Sequence, residues 1–327
     1  LGLLLLLRPR TLEGRVGAVA AGMTVCEMCS AALLTLLLRR RWRHTAGPRQ
    51  SGPGYPQLLR IALPVGLTAL LGNLLSAANA VLIPAGLTAG GMAAEQAMSA
   101  FGVLCGMTMP MLAVPTAAVG ALCLTLVPSL ARRAALGDLP SAGRLLDRAL
   151  GASSVLLAPA MALLAVLGPV IGRAVYREGS AGAWMPALAA GTLLGCWQSI
   201  LSGALNALGQ PRRAAFAALA ADALQLAFTA LTVRRWGLGG YVAGFVLSSL
   251  LGAALALAAV LRRTGLTTRW YHWFLRPVLA AALAGLCCAL LLSLLERSGS
   301  GALRGGLISG GLGVIVYAAA LLAQGKH

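Results

Sequence analysis

Two acidic residues stand inside long apolar runs, where an ionisable group either does chemistry or is expensive to keep. Glu27 has Thr24 and Ser30 three residues to either side, and Asp222 has Gln225 and Thr229 at i+3 and i+7, close to one face of a helix. Two neutral stripes recur at similar spacing: Asn73, Ser76 and Asn79 in one run, Gln198, Ser202 and Asn206 in another. Carboxylates at membrane depth usually face a cavity or pathway, where they relay protons or hold cations. The competing reading is interhelical hydrogen bonding, which the same side chains supply. Glu27, Asn73, Asn79, Gln198, Asn206, Asp222 and Gln225 are therefore candidates for a substrate or ion pathway. The other acids (Glu13, Glu95, Asp138, Asp147, Glu178 and Glu296) fall in connections or at span ends.

Constellations for soluble catalysis are missing. None of His44, His272 and His327 pairs with a carboxylate at metal-ligand spacing. There is no Walker loop and no Gly-x-Ser-x-Gly. The seven cysteines all fall in apolar runs, where a thiol acts as a small hydrophobe. Cys26-x-x-Cys29 has redox or zinc spacing, but no second pair follows, so it reads as helix packing. No catalytic residue, metal or cofactor is expected, and the connections leave little room for an enzyme domain.

The elements that hold these residues follow from composition. Of 327 residues, 59% are hydrophobic and 10% charged, against about 25% charged in soluble domains. Such a chain lacks the side chains to cover a water-facing surface. Its net charge of +18 does not indicate nucleic acid, because the basic residues sit in short clusters between apolar runs without interleaved aromatics. The expectation is an all-α polytopic bundle, since only helices satisfy their own backbone in hydrocarbon and each crossing takes about 20 apolar residues. Nine spans are predicted: Val16 to Leu38, Ile61 to Pro84, Met98 to Leu130, Ala149 to Ile171, Met185 to Leu208, Ala214 to Val233, Tyr241 to Leu261, Pro277 to Leu295 and Gly305 to Ala323. The third is over-long, and Pro110 and Pro115 should bend it. The apolar stretch Leu1 to Leu7 carries its charges, Arg8 and Arg10, behind it, and reads as the tail of a helix rather than a signal peptide.

If the first span runs from outside to inside, 17 of the 26 basic residues fall on the inner side. They include Arg39 to Arg41, Arg132, Arg133, Arg212, Arg213, Arg262, Arg263, Arg269, Arg276 and Lys326. The positive-inside rule then puts the C-terminus in the cytoplasm and the loop Ala85 to Ala97 outside. The inner arginines also suit anionic lipid headgroups. Trp42, Trp184, Trp236, Trp270, Tyr271 and Trp273 fall at span ends, where a headgroup-facing aromatic belt is expected. Gly240-x-x-x-Gly244 and Gly306-x-x-x-Gly310 have the spacing of close helix contacts.

With the spans placed, the chain resembles the polysaccharide-flippase side of the multidrug/oligosaccharidyl-lipid/polysaccharide exporter superfamily, in particular its stage V sporulation protein B group. The resemblance lies in Ile61-Ala-Leu-Pro64, Leu82-Ile-Pro84, Phe101-Gly-Val-Leu-Cys-Gly-Met-Thr-Met-Pro110, Pro115 and Val127-Pro128. It continues in Leu205-Asn-Ala-Leu-Gly-Gln-Pro-Arg-Arg213 and Trp236-Gly-Leu-Gly-Gly240, and in Glu27, where this group often carries a glutamate. It implies two six-helix lobes around a cavity, with two added helices. On that pattern residues 1–38 are the end of an N-terminal lobe, 39–60 a basic interlobe linker, 61–265 the six-helix C-terminal lobe and 266–327 the added pair. The activity implied is translocation of a polyprenyl-linked saccharide or peptidoglycan precursor by alternating access, with a proton or sodium ion as coupling partner. A cation-coupled drug exporter, a membrane transferase and a non-transporting scaffold or degenerate fragment are the rival readings. Two features depart from the pattern. Ala85-Gly86 follows Pro84 where relatives often carry a basic residue, and no arginine is expected deep in a span.

Overall fold

The structure, a computed structural model, describes residues 12–44, 55–265, 271–298 and 301–324. Leu1 to Leu7, Arg8, Arg10, Arg49, Arg269, Trp270 and Lys326 lie outside the described residues. The chain divides into two compact units, Leu1–Arg60 and Ile61–His327.

The first unit contributes one helix, α1 (Leu12–His44). At 1.5 Å per residue its 33 residues extend about 50 Å, well beyond the ~30 Å hydrocarbon core. Every residue from Met23 to Arg40 is exposed, Glu27, Cys26 and Cys29 included.

The second unit takes up α2 (Tyr55–Ala89) from Ile61 onward, followed by α3 (Ala94–Ala135) and α4 (Leu139–Tyr176). A 3-10 turn (Gly179–Gly182) leads to α5 (Met185–Ala207), α6 (Pro211–Trp236) and α7 (Leu238–Thr264). A π-helical turn (Tyr271–Leu275) runs into α8 (Arg276–Arg297), and α9 is Ala302–Gln324. Among the described residues nine helices are long and apolar enough to cross a membrane, and there is no strand. The all-α polytopic expectation holds, and every helix except α5, which keeps the bounds of its apolar run to within one residue, extends beyond that run at its ends.

Local chemistry sets those ends. Asp138 caps α4 by accepting from Ser141 N–H (3.1 Å). The helix therefore starts at Leu139, well ahead of the first apolar turn, and Asp147 lies inside it rather than in a connection. Pro211 opens α6, where its missing N–H has no partner to lose. Gly209, with φ +73°, makes the left-handed step in the turn before it.

The anticipated bend of α3 takes the form of a π-helical turn, Leu104–Thr108, directly ahead of Pro110. The Pro110 ring crowds the carbonyl four residues back and donates no N–H, so the backbone widens to the next repeat. Thr108 Oγ1 fixes this turn by donating to the Ala181 carbonyl in the 3-10 segment (2.7 Å).

The core centres on α5, which packs against α3, α4, α6 and α7. Met185, Leu188, Ile200, Leu201 and Leu205 are fully buried there, with Leu146, Leu150 and Leu157 of α4. Trp197 donates to Ser154 Oγ (2.9 Å) and meets Phe274 edge-on at 5.0 Å. Glycines permit the closest approaches. A Cβ on Gly240 or Gly244 would press on Thr232 or Phe228 of α6, and one on Gly306 or Gly310 on Val170 or Leu167 of α4. Both Gly-x-x-x-Gly pairs are therefore contact faces.

The aromatic belt needs one correction. Trp184 and Trp236 are exposed, but Trp273 is 3% exposed and its indole donates to the Asp147 carboxylate. A buried indole N–H requires an acceptor, and the Trp273–Asp147 pair draws the turn before α8 onto α4.

Candidate functional site

Asp222 lies midway along α6, half-buried, and its Oδ2 is 3.5 Å from where a Cβ on Gly72 of α2 would stand. No hydrogen bond or ion pair reaches the carboxylate from any described residue. The absence of a side chain at Gly72 leaves room in front of it.

Further along, a Cβ on Gly86 would stand 2.9 Å from Val233 Cγ1 of α6, and one on Gly90 2.7 Å from the Arg234 carbonyl. The helices α2 and α6 thus run in the same direction, and Gly72, Leu75, Asn79, Ile83 and Gly86 form the α2 face turned inward, with Gly90 in the turn just after it. Asn79 belongs to this face. Its Nδ2 donates to the Leu75 carbonyl (3.3 Å), while its Oδ1 is buried without a partner.

The other predicted residues separate from Asp222 in instructive ways. Asn73 and Ser76 are exposed: spacing of three on a 3.6-residue helix drifts about 60° per step, so Asn73 and Asn79 occupy different faces. Gln225 turns to α7. Its Nε2 donates to the Tyr241 carbonyl (3.3 Å) and Thr229 Oγ1 (3.4 Å), and its Oε1 accepts from Ser248 Oγ (3.1 Å). That amide is fully engaged in holding α6 to α7.

On α5, Gln198 packs so tightly over Gly252 of α7 that a Cβ there would overlap its amide. Ser202 Oγ is buried with no partner, and Asn206 is exposed at the helix end. Glu27 lies on α1, in the other unit, exposed as described above.

The end of the second unit that carries the arginine clusters is polar and solvated. Arg132, Arg133, Arg144, Arg148, Arg212, Arg213, Arg262 and Arg263 are all exposed. Beside them, hydrogen bonds from the Ser141 side chain and backbone hold Asp138 below the usual carboxylate range. An apolar cleft of about 480 Å³ lies between α3 and α4, lined by Pro110, Val114, Pro115, Leu164 and Tyr176 among others. It takes in none of the predicted residues.

Sequence reasoning missed two arrangements. The Trp273–Asp147 pair joins residues 126 positions apart, and no local pattern signals it. Arg276, expected in a basic loop, is half-buried, with Nη2 donating to the Leu321 carbonyl of α9 (2.8 Å).

Three comparisons bear on this architecture. A family model described as "Lipid II flippase MurJ" matches residues 112–302, more than half of the chain. Among solved structures, one described as "Lipid II flippase MurJ, inward closed conformation" matches with a TM-score of 0.54 at 14% identity, over 81% of this chain and 54% of that one. The chain thus spans about half the length of that structure, whose fold it shares. No curated protein matches.

Proposed function

The chain belongs to the lipid II flippase MurJ family, a multi-pass membrane family within the exporter superfamily, and from that premise we propose that it serves to flip a lipid-linked peptidoglycan precursor across the cytoplasmic membrane. The observation that carries the mechanistic part is Asp222, a mid-span carboxylate with no hydrogen-bond or ion-pair partner among the described residues, set against Gly72 of α2. A site of that kind binds and releases a proton or sodium ion as the bundle changes shape, which is how a gradient drives alternating access. Asp222 is the principal residue, with Asn79 on the inward face of α2. Asn73, Gln198 and Asn206 lie apart from it in this arrangement and would join the pathway only as the bundle rearranges. Glu27 on α1 is proposed separately as a second carrier. Gln225 keeps the Asp222 helix seated against α7.

The finer readings belong to the same proposal. They are membership of the stage V sporulation protein B-like group, the division into an N-lobe helix (1–38), basic linker (39–60), six-helix lobe (61–265) and added helix pair (266–327), and a cytoplasmic C-terminus. On that orientation the arginine-rich end meets the anionic inner leaflet and draws in the diphosphate headgroup, while the prenyl tail stays in lipid. The test is Asp222→Asn in a complete two-lobed version, expressed in a flippase-depleted host. Precursor flipping should fall at least tenfold with membrane abundance unchanged. Unchanged flipping removes Asp222 from the mechanism, and equal loss of flipping and abundance makes it structural.

A further inference from the structure

Arg276 opens α8 at the same membrane face as the Arg132–Arg133 and Arg262–Arg263 clusters. Its guanidinium makes one described hydrogen bond, from Nη2 to the Leu321 carbonyl, one of the last four that α9 leaves without an internal partner. Its Nε is buried and unpartnered, and so is Gln324 Oε1 at the end of α9. No carboxylate among the described residues pairs with Arg276, and nearby Asp147 accepts from Trp273. Guanidinium does not shed its proton in proteins, so this half-buried charge, with no counter-ion among the described residues, is open to an external anion.

The surface below it identifies that anion. Leu279, Leu283, Leu286 and Leu290 follow Arg276 at alternating spacings of three and four, and all four are exposed. One face of α8 therefore begins with a cation at the span end and continues as an apolar strip into the membrane. A phosphodiester above an acyl chain has the same layout, and a planar fork suits phosphate oxygens. We propose that Arg276 and the leucine strip of α8 form a binding site for one anionic phospholipid, with the headgroup phosphate on the guanidinium and an acyl chain along the leucines. The inference does not rest on the flippase reading, since such a lipid binds whether or not the chain transports.

The test titrates the detergent-purified chain with dioleoylphosphatidylglycerol or dioleoylphosphatidylcholine and reads bound lipid by native mass spectrometry. The unaltered chain should prefer phosphatidylglycerol. Arg276→Gln should weaken it about tenfold, the scale of one charge-assisted hydrogen bond, and leave phosphatidylcholine unchanged. Arg263→Gln, an exposed rim arginine, should change it by less than about twofold. Leu279→Glu alters only an exposed position and sets a neutralising acid beside Arg276, so it should abolish the preference even where Arg276→Gln folds poorly. Retained preference in Leu279→Glu or in folded Arg276→Gln overturns the site. Equal losses in Arg276→Gln and Arg263→Gln indicate diffuse charge and also overturn it. Displacement of the lipid by millimolar inorganic phosphate would make it a free-anion site and reject the lipid assignment.

Discussion

Asp222 and Gln225 sit three residues apart on one helix, yet their surroundings divide them. The Gln225 amide bonds to Tyr241, Thr229 and Ser248, whereas the Asp222 carboxylate has no hydrogen-bond partner among the described residues and lies against Gly72 of α2. Gln225→Leu should therefore lower thermal stability in detergent by about 1–2 kcal/mol, the range of interhelical hydrogen bonds in membranes. Asp222→Asn should leave the melting temperature unchanged. Asp222 should also react with dicyclohexylcarbodiimide, which attacks protonated carboxyls in apolar surroundings. Modification of the peptide containing Asp222, read by mass spectrometry, should diminish in Gly72→Ala, whose new methyl lies against Oδ2. Equal modification in both would show that the space at Gly72 is not the route of access.

At the scale of helices, the interfaces rest on glycines whose missing side chains are occupied by a neighbour. A Cβ on Gly240 would lie 2.9 Å from the Thr232 carbonyl carbon, an approach that only backbone movement relieves. Gly240→Ala should cost about 1–3 kcal/mol, the usual penalty for overpacking. Gly311→Ala, with nothing within 4 Å, should be neutral or slightly stabilising, as for alanine replacing glycine inside a helix. Thermal melts of the two variants in the same detergent separate these outcomes. The Gly-x-x-x-Gly spacing is visible in the sequence. The partner that each glycine touches is not, because it depends on which helices become neighbours.

For the molecule as a whole, the proposed orientation rests on the distribution of arginine. With the linker 39–60 inside and the loop near Glu95 outside, single cysteines on a cysteine-free background should report both positions. An impermeant thiol reagent applied from outside should label the Glu95 loop and spare the linker, and the reverse would invert the topology. The exposed leucines on α2, α8 and α9 need no polar cover, because lipid tails solvate them as well as protein would. The family assignment rests on the family model that matches residues 112–302, and the matching structure, 14% identical, adds the shared fold.

Hydrophobic run length alone determined the number and approximate bounds of the spans, because the bilayer demands about 20 apolar residues and a helix around every backbone group. Arginine spacing likewise marked the polar end of the bundle. The sequence also identified Asp222 as unusual, since a carboxylate in an apolar run is visible without any contact. The tertiary structure decided what each polar residue faces. It turned Gln225 to α7, set Asn79 in the α2 seam and left Asn73 outside it, and brought Trp273 to Asp147 and Arg276 to Leu321. Those outcomes depend on helix rotation and on neighbours far apart in the chain. A side chain's position around its helix follows from the 3.6-residue repeat, but which helix then lies opposite is fixed only when the bundle packs.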